Sequence, residues 1–307
     1  MPQPPHPHRR RRFLAGIGLA AGGAALGALL SRGGRQRLER RTRALGAQVS
    51  IIALHPDRRA AELAIDTAFA ELEIVEQTMS LYRPDSQICR LNRGGALGSP
   101  HPYLTEVLRF AAEISERSGG AFDVTVQPLW DLFRAAQRLG KLPEDAEIDR
   151  ARRHVDWRRV AVGDKSICLR GEGTAISLNG IAQGFAADRA AAALRAAGIE
   201  HALIDCGEFS ALGQSGRQHP WRVGIQDPRA PAALAAKAAL ESGRCLATSG
   251  DYATRFTGDF RQHHLFDPAS GRSPEALASA TVIAPTAMEA DASPTAAFVG
   301  RWRQDSP

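Results

Sequence analysis

Apolar residues follow two different periods along this chain, and together these periods predict a mixture of helices and strands. Between residues 58 and 80 they recur every three or four positions, which is the spacing of one face of a helix. The same period runs through residues 101–120 and 181–198, and each of these segments ends at glycine, a common helix stop. Residues 47–54 are instead rich in β-branched side chains, as strands are.

The rest of the chain continues this alternation. Further helices are predicted at 134–160 and 287–299, a strand end with a turn at 263–274, and further strands at 201–213, 221–226, 244–250 and 278–285. No predicted strand is followed by a GxGxxG motif, so a Rossmann-type dinucleotide fold is not indicated. We expect an α+β fold of interspersed strands and helices, built as one domain or as two closely joined lobes.

The first 34 residues differ from the rest of the chain. Four arginines, Arg9 to Arg12, precede 18 uncharged residues from Phe13 to Leu30, five of which are glycine. A basic segment followed by an apolar one is typical of an export signal, and the Arg-Arg-x-Phe-Leu pattern is that of twin-arginine export. The apolar run is just short of the roughly 20 residues that span a bilayer. We therefore expect either a cleaved signal or a retained inner-membrane anchor, with the rest of the chain in the periplasm.

Charge and cysteine content narrow the functional classes. The chain carries a net charge of +6, but residues 1–43 hold ten Arg and one Glu, which leaves −3 on the remainder. A mildly acidic body without a basic stripe does not indicate a nucleic-acid partner. The four cysteines lie at least 38 residues apart and form no CxxC pair, which argues against zinc and against a redox pair. Separate thiols are the favoured interpretation, although an exported protein would permit disulfides.

Two patterns near the C-terminus are candidates for chemistry. Asp291 and Thr295 are four residues apart on the predicted last helix, so a carboxylate and a hydroxyl share one face and could bind Mg²⁺ or Ca²⁺. Pro294 between them suits a helix if Asp291 is the N-cap, because the proline then falls in the first turn. His263 and His264 precede an Asp-Pro turn, where a histidine can act as a general base. Both patterns are also common in ordinary structure.

A third candidate is the stretch SLNGIAQGFAADR, residues 177–189. Gly180 and Gly184 flank a short apolar turn ahead of a predicted helix, which is suited to bringing the backbone close to an anion such as phosphate. There is no charged side chain between Ser177 and Ala187. Any charge at such a site must therefore come from another part of the chain.

Seven stretches occur together in a single order: MSLYRPDSQICRLN, GAFDVTVQPLWDLF, SLNGIAQGFAADR, LIDCGEFSALGQ, LATSGDY, HHLFDPASGRSP and TVIAPTAMEADASPTAAFVG. In this order they resemble the ApbE family, the FAD:protein FMN transferases, over roughly residues 44–300. The resemblance implies that the chain takes FAD as a substrate and uses Mg²⁺. It further implies that FMN is transferred through a phosphoester bond to a Thr or Ser hydroxyl of a membrane or periplasmic flavoprotein, and that AMP leaves.

The resemblance also assigns roles to individual residues. The side chains of Asp291 and Thr295 and the backbone carbonyl of Gly180 would bind the metal, and His264 would take the proton from the acceptor hydroxyl. The positions that would contact FAD are Leu45, Tyr82, Ala121, Phe122, Asp123, Ser177, Gln183 and Leu265.

This chain departs from the family pattern at three positions of that site. Many relatives have an Asp where this chain has Ser177 and a Lys where it has Gln183, so two opposite charges are absent together. Losing a charge-assisted hydrogen bond costs on the order of 1 kcal/mol. The sequence SLNGIAQG, with Ser177 and Gln183, resembles a subgroup of the family that is linked to accessory proteins of nitrous-oxide reduction. Pro294 could also shift the Thr295 hydroxyl. These departures leave two alternatives open, a periplasmic FAD carrier without transferase activity and an FAD pyrophosphatase.

Overall fold

The computed structural model describes residues 34–216 and 218–300. Within these ranges it has seven α-helices and two single 3₁₀ turns at Val124–Val126 and Trp157–Arg159. The helices are α1 (Arg58–Met79), α2 (Gln87–Gly94), α3 (Pro102–Arg117), α4 (Gln127–Arg138), α5 (Asp145–Arg152), α6 (Ala182–Ala196) and α7 (Ala287–Phe298). The strands are β1 (Gln36–Ala44), β2 (Ala47–His55), β3 (Ala96–Gly98), β4 (Val160–Val162), β5 (Ser166–Leu169), β6 (Ala202–Asp205), β7 (Phe209–Leu212), β8 (Trp221–Gln226), β9 (Leu234–Leu240), β10 (Cys245–Gly250) and β11 (Ser279–Ala284).

The described strands form three antiparallel sheets. The largest has six strands in the order β1-β2-β6-β7-β10-β11, the second has the order β3-β5-β4, and the third is the β8-β9 ribbon. Helix α6 packs against both α1 and α7, and all three helices pack against the large sheet. The α+β prediction of interspersed strands and helices is therefore confirmed.

Side chains on the two faces of the large sheet enter different cores. On β2, Val49, Ile51 and Ala53 belong to the main core shared with the helices, whereas Ile52 and Leu54 pack against the core beneath the β8-β9 ribbon. This alternation follows from the two-residue period of a strand. Helices, sheet and ribbon thus form three layers, and the β-branched density of residues 47–54 reflects burial on both faces.

Helices α6 and α7 lie unusually close together. A Cβ on Gly184 of α6 would be 2.2 Å from the carbonyl oxygen of Ala287 and 2.7 Å from Cβ of Asp291, so this position has no room for a side chain. The Asp188 carboxylate accepts hydrogen bonds from the backbone N–H groups of Ala287 (2.8 Å) and Met288 (2.9 Å). These N–H groups have no partner within a helix, so Asp188 fixes the start of α7 against α6.

Several predicted elements differ from the observed ones. Residues 201–213 were predicted as one strand, but they form the β6-β7 hairpin because Gly207 adopts a positive φ of 98°. Residues 134–160 are not one helix, since α4 stops ahead of Gly140, whose φ is +69°. Residues 263–274 contain only isolated bridges. The hydrophobic pattern also failed to predict the strands of the three-stranded sheet, β3, β4 and β5, and the strands β1 and β9.

Asp291 is not the N-cap of the last helix, which was the condition for placing Pro294 in the first turn. Thr286 is the N-cap of α7, and its side chain accepts a hydrogen bond from the backbone of Glu289 at 3.2 Å. Asp291 therefore lies inside the helix, and Pro294 lies beyond the first turn. The helix nevertheless continues to Phe298, so the proline does not remove Thr295 from the face that it shares with Asp291.

The predicted signal or anchor falls in residues 1–33, outside the described residues, apart from its last position. In the described part of the chain, no helix combines the length and apolar character needed to cross a membrane. All four cysteines are free thiols, in agreement with the favoured interpretation.

Candidate active site

The loop that precedes α6 is fixed by hydrogen bonds from two distant segments. The side-chain amide of Asn92 donates to the carbonyl of Ile176 and accepts from its N–H, both at 2.8 Å. The N–H of Ser177 then donates to the carbonyl of Val124 at 2.7 Å. This double attachment holds the backbone that leads to Gly180 in one position.

Gly180 lies directly beside the hydroxyl of Thr295. A Cβ built on Gly180 would be 3.4 Å from Oγ1 of Thr295 and 3.6 Å from Cε2 of Phe122. Asp291, one turn earlier on α7, accepts a hydrogen bond from the N–H of Gly184 through Oδ2 at 2.9 Å. The structure therefore brings together the three residues predicted to bind a metal. A carboxylate, a hydroxyl and a nearby backbone are the kind of oxygen donors that a hard divalent cation accepts.

The hydrogen bond from Gly184 changes one feature of the predicted site. The start of α6 was expected to direct its N–H groups at a phosphate, but the N–H of Gly184 is already bonded to Asp291. At this point the site thus presents a carboxyl group in place of a free N–H donor. A cation held by Asp291 would have to lie between the protein and any phosphate, since two anions would otherwise repel each other.

Burial controls the charge of Asp291. The pKa of its carboxyl is raised to about 7, mainly by removal from water and also by the nearby charge of Asp188, against the lowering effect of the Gly184 hydrogen bond. Protonation or a cation would relieve this cost. Asp291 is therefore suited to hold a cation near neutral pH.

Glu208 is a second buried carboxylate, and sequence reasoning did not select it. It is 7% exposed and directly follows the Gly207 turn of the β6-β7 hairpin. Burial raises the pKa of Glu208 well above its usual value, and the charge of Asp291 is the next largest cause. The available signal was a glutamate within an apolar stretch, LIDCGEFSALG, where a charged side chain is unexpected.

The two adjacent histidines have different environments. Nε2 of His263 lies 2.9 Å from the carbonyl of Pro274, and its Nδ1 accepts from the N–H of Leu265 at 3.3 Å, so both ring nitrogens are engaged. In His264, Nδ1 lies 3.2 Å from the carbonyl of Thr254. A carbonyl only accepts hydrogen bonds, so Nδ1 carries the proton and Nε2 keeps its lone pair.

His263 connects the histidine pair to α7, the helix that carries the predicted metal ligands Asp291 and Thr295. The ring of His263 packs edge-on against Phe298, which follows Thr295 on α7. The pKa of His264 is lowered to about 4, mainly by burial and also by the nearby His263. His264 is therefore neutral at physiological pH and can accept a proton through Nε2.

Two predicted FAD contacts meet at the β1-β2 turn. Leu45 and Gly46 both have positive φ, 52° and 76°, as a two-residue hairpin turn requires. A Cβ on Gly46 would lie 3.9 Å from the ring of Tyr82, which is 71% exposed. An exposed aromatic ring next to a strained leucine offers a flat apolar surface at which a planar ligand could stack.

The Ala121–Asp123 segment is buried, and its aspartate has partners within the protein. One carboxylate oxygen of Asp123 accepts from the N–H (2.7 Å) and the hydroxyl (2.6 Å) of Thr125, and the other accepts from the N–H of Trp157 at 3.0 Å. These bonds fix a turn. Phe122, which contacts Gly180, is the member of this segment that the structure places at the candidate metal position.

Ser177, Gln183 and Leu265 have different surroundings. The hydroxyl of Ser177 accepts a hydrogen bond from the N–H of Asn179 at 3.3 Å. The amide nitrogen of Gln183 would lie 2.9 Å from a Cβ on Gly207, so this side chain lies against the turn of the β6-β7 hairpin. Leu265 is 7% exposed. The roles of these residues toward FAD remain predictions.

The described residues include no cluster of three or more His, Cys, Asp or Glu side chains that could hold a metal ion. The predicted set has only one such side chain, Asp291, because a hydroxyl and a backbone carbonyl complete it. The two findings are therefore compatible, and the oxygen-rich character of the set fits Mg²⁺.

Comparison with known proteins shows the family of this chain. The model of the ApbE family matches residues 45–304. The FAD:protein FMN transferase of Escherichia coli K12 is 31% identical over 254 residues, which cover 79% of this chain and 72% of that protein. The ApbE protein of Thermotoga maritima superposes with a TM-score of 0.76 at 30% identity, covering 87% of this chain and 88% of that one. The flavinyl transferase ApbE of Pseudomonas stutzeri gives 0.74 at 27% identity, covering 86% and 84%. The chain therefore belongs to the ApbE family.

Proposed function

We propose that this protein transfers FMN from FAD to a Thr or Ser hydroxyl of a partner flavoprotein, with Mg²⁺ as cofactor and AMP as the second product. The observation that carries the proposal is the meeting of Gly180, Asp291 and Thr295 from two distant parts of the chain. Relatives named FAD:protein FMN transferase, of which this chain covers 72% and 81%, support it.

The reaction transfers a phosphoryl group that carries the flavin from the bridging oxygen of a pyrophosphate to the oxygen of a hydroxyl group. The acceptor oxygen forms a bond to the phosphorus on the FMN side of the pyrophosphate, and the bond from that phosphorus to the bridging oxygen breaks. AMP leaves with the bridging oxygen and its electron pair. Such a reaction needs the reacting groups in line and the growing charge neutralised.

His264 would take the proton of the acceptor hydroxyl. A hydroxyl is a weak nucleophile near neutral pH and benefits from a positioned base. The imidazole offers Nε2 for this purpose because Nδ1 is turned toward the carbonyl of Thr254. Its low pKa keeps it unprotonated before the reaction.

The Gly180 backbone, Asp291 and Thr295 would hold the cation. A bound Mg²⁺ would neutralise the pyrophosphate oxygens and make the phosphorus more electrophilic. The absence of a side chain at Gly180 leaves room for this approach, since a Cβ would lie 3.4 Å from Oγ1 of Thr295. The ring of Phe122 also contacts this position, because its Cε2 atom would lie 3.6 Å from such a Cβ.

The flavin would be held on the side of the β1-β2 turn, with Leu45 and Tyr82 at the rim and Ser177, Gln183 and Leu265 further in. Export through the twin-arginine route would place the protein in the periplasm, either released or held at the inner membrane by residues 13–30. The partner would be a membrane or periplasmic flavoprotein, which fits the subgroup linked to nitrous-oxide reduction.

The direct test uses purified protein, FAD, Mg²⁺ and an acceptor domain that carries the target threonine. We expect the intact mass of the acceptor to rise by one FMN less one water. An acceptor in which valine replaces that threonine should keep its mass.

Other outcomes distinguish the alternatives. Release of AMP without a modified acceptor would identify an FAD pyrophosphatase. Tight retention of FAD without AMP would identify a carrier. Either result, obtained with a cognate acceptor that a known family enzyme modifies in parallel, would overturn the proposal.

A further inference from the structure

Glu208 is a buried carboxylate with one unused oxygen. The residue is 7% exposed, and its Oε2 atom has no hydrogen-bond partner within the part of the chain that the structure describes. The backbone N–H of Thr248 on β10 favours its charged form. A carboxylate is costly to bury, so an unused oxygen in this position needs a partner that comes from outside the chain.

A chain of contacts places Glu208 at the same site as Asp291. Gly207, immediately before Glu208, lies against the side-chain amide of Gln183. The next residue of α6, Gly184, donates its N–H to Asp291. Both carboxylates are thus linked to the first turn of α6, Asp291 directly and Glu208 through Gly207 and Gln183.

β10 provides a second, independent connection. Thr248 contacts the Glu208 carboxylate through its backbone, and the next residue, Ser249, has its hydroxyl 3.4 Å from Oγ1 of Thr295. Glu208 therefore lies next to the segment that also contacts the third predicted metal ligand.

No cationic side chain neutralises this pair. None of the ion pairs formed among residues 34–216 and 218–300 includes Asp291 or Glu208. Two neighbouring buried carboxylates without a cation repel each other, and a divalent ion is the partner that their oxygen chemistry prefers.

We propose that Glu208 is a second carboxylate ligand of the divalent cation that Asp291 and Thr295 hold. This inference rests on the proposed function, because it concerns the same cation. It adds a ligand beyond the set implied by the family resemblance and raises the negative charge of the protein ligands from one to two.

The additional charge has a specific consequence. A site with two carboxylates binds the cation more tightly by itself and depends less on phosphate oxygens from FAD. We therefore expect the protein to bind a divalent ion before FAD arrives.

The test is titration of Mn²⁺ into the purified protein, with free Mn²⁺ measured by electron paramagnetic resonance, first alone and then with ADP present. Four proteins are compared: wild type, Glu208→Gln, Asp291→Asn and the control Glu241→Gln, which changes an exposed glutamate. We expect Glu208→Gln to raise the Mn²⁺ dissociation constant at least about tenfold, Asp291→Asn to raise it as much or more, and Glu241→Gln to leave it unchanged.

A further variant separates ligand binding from folding. Glu208→Asp keeps the charge but shortens the side chain, so it should bind Mn²⁺ with an affinity between those of wild type and Glu208→Gln. If Glu208→Gln binds Mn²⁺ as tightly as wild type while Asp291→Asn binds it more weakly, the proposed role of Glu208 is overturned and that of Asp291 is not. A wild-type protein that binds no Mn²⁺ under either condition would overturn both this inference and the metal dependence of the proposed function.

Discussion

Gly184→Ala tests the close contact between α6 and α7 on which the site depends. The added methyl group would lie 2.2 Å from the carbonyl oxygen of Ala287 and 2.7 Å from Cβ of Asp291. Since ordinary contacts begin at about 3.4 Å, α7 would have to move by about 1 Å. Overpacking of this kind costs about 1–3 kcal/mol, and the higher helix propensity of alanine returns at most about 1 kcal/mol.

We therefore expect a net loss of about 2 kcal/mol in the free energy of unfolding, which lowers Tm by about 4–8 °C for a chain of this size. Thermal unfolding followed by circular dichroism measures this shift. The control is Gly94→Ala at the end of α2, where a Cβ would meet nothing within 4 Å, and its Tm should stay within about 2 °C of wild type. A Gly184→Ala protein with the wild-type Tm would refute the close packing of α6 on α7.

Three further predictions concern the site. His264→Gln should lose less stability than wild type between pH 7 and pH 4. Burial lowers the pKa of His264 to about 4, so the neutral ring stabilises the fold fully above pH 6.5. This contribution, at most about 3 kcal/mol, disappears as the pH falls. Urea unfolding of wild type and variant at pH 7 and 4.5 measures the difference, and equal pH dependence would contradict it. Asp188→Ala should lower the free energy of unfolding by about 1–2 kcal/mol, because two N–H groups at the start of α7 lose their acceptor. Asp188→Asn should lower it by less. Equal losses in both variants would argue against the capping role. Gln183→Lys should bind FAD several-fold more tightly, measured by quenching of flavin fluorescence, and unchanged or weaker binding would mean that the pocket is built around glutamine.

The sequence predicted the α+β class and the longer helices because their periodicity is strong. It failed where a single glycine decided the backbone. The β6-β7 hairpin looked like one strand because its apolar residues continue through Gly207, whose positive φ creates the turn. The short strands β3 to β5 are three or four residues long, too few for a periodic pattern to be visible.

The candidate site, like the fold, could be predicted from the sequence only in part. Asp291 and Thr295 could be paired from their spacing on one helix. The contacts of Thr295 with Gly180 and of Asp291 with Gly184 join residues more than a hundred positions apart, and only the family resemblance suggested that these segments meet. Glu208 could not be assigned from the sequence, because its role depends on which neighbours surround a buried carboxylate. The N-cap of α7 was misplaced since Thr286 and Asp291 are both good capping residues, and the packing of α7 against Asp188 selects the first.

The central claim is that this protein moves FMN from FAD to another protein through a cation held by Asp291. The most direct measurement is the ratio of AMP released to acceptor modified, determined by chromatography and intact-mass spectrometry in the same reaction. We predict one AMP for each modified acceptor with wild type and Mg²⁺, and neither product with Asp291→Asn or after removal of Mg²⁺ by a chelator. AMP in excess over the modified acceptor, or acceptor modified equally well by Asp291→Asn, would contradict the account.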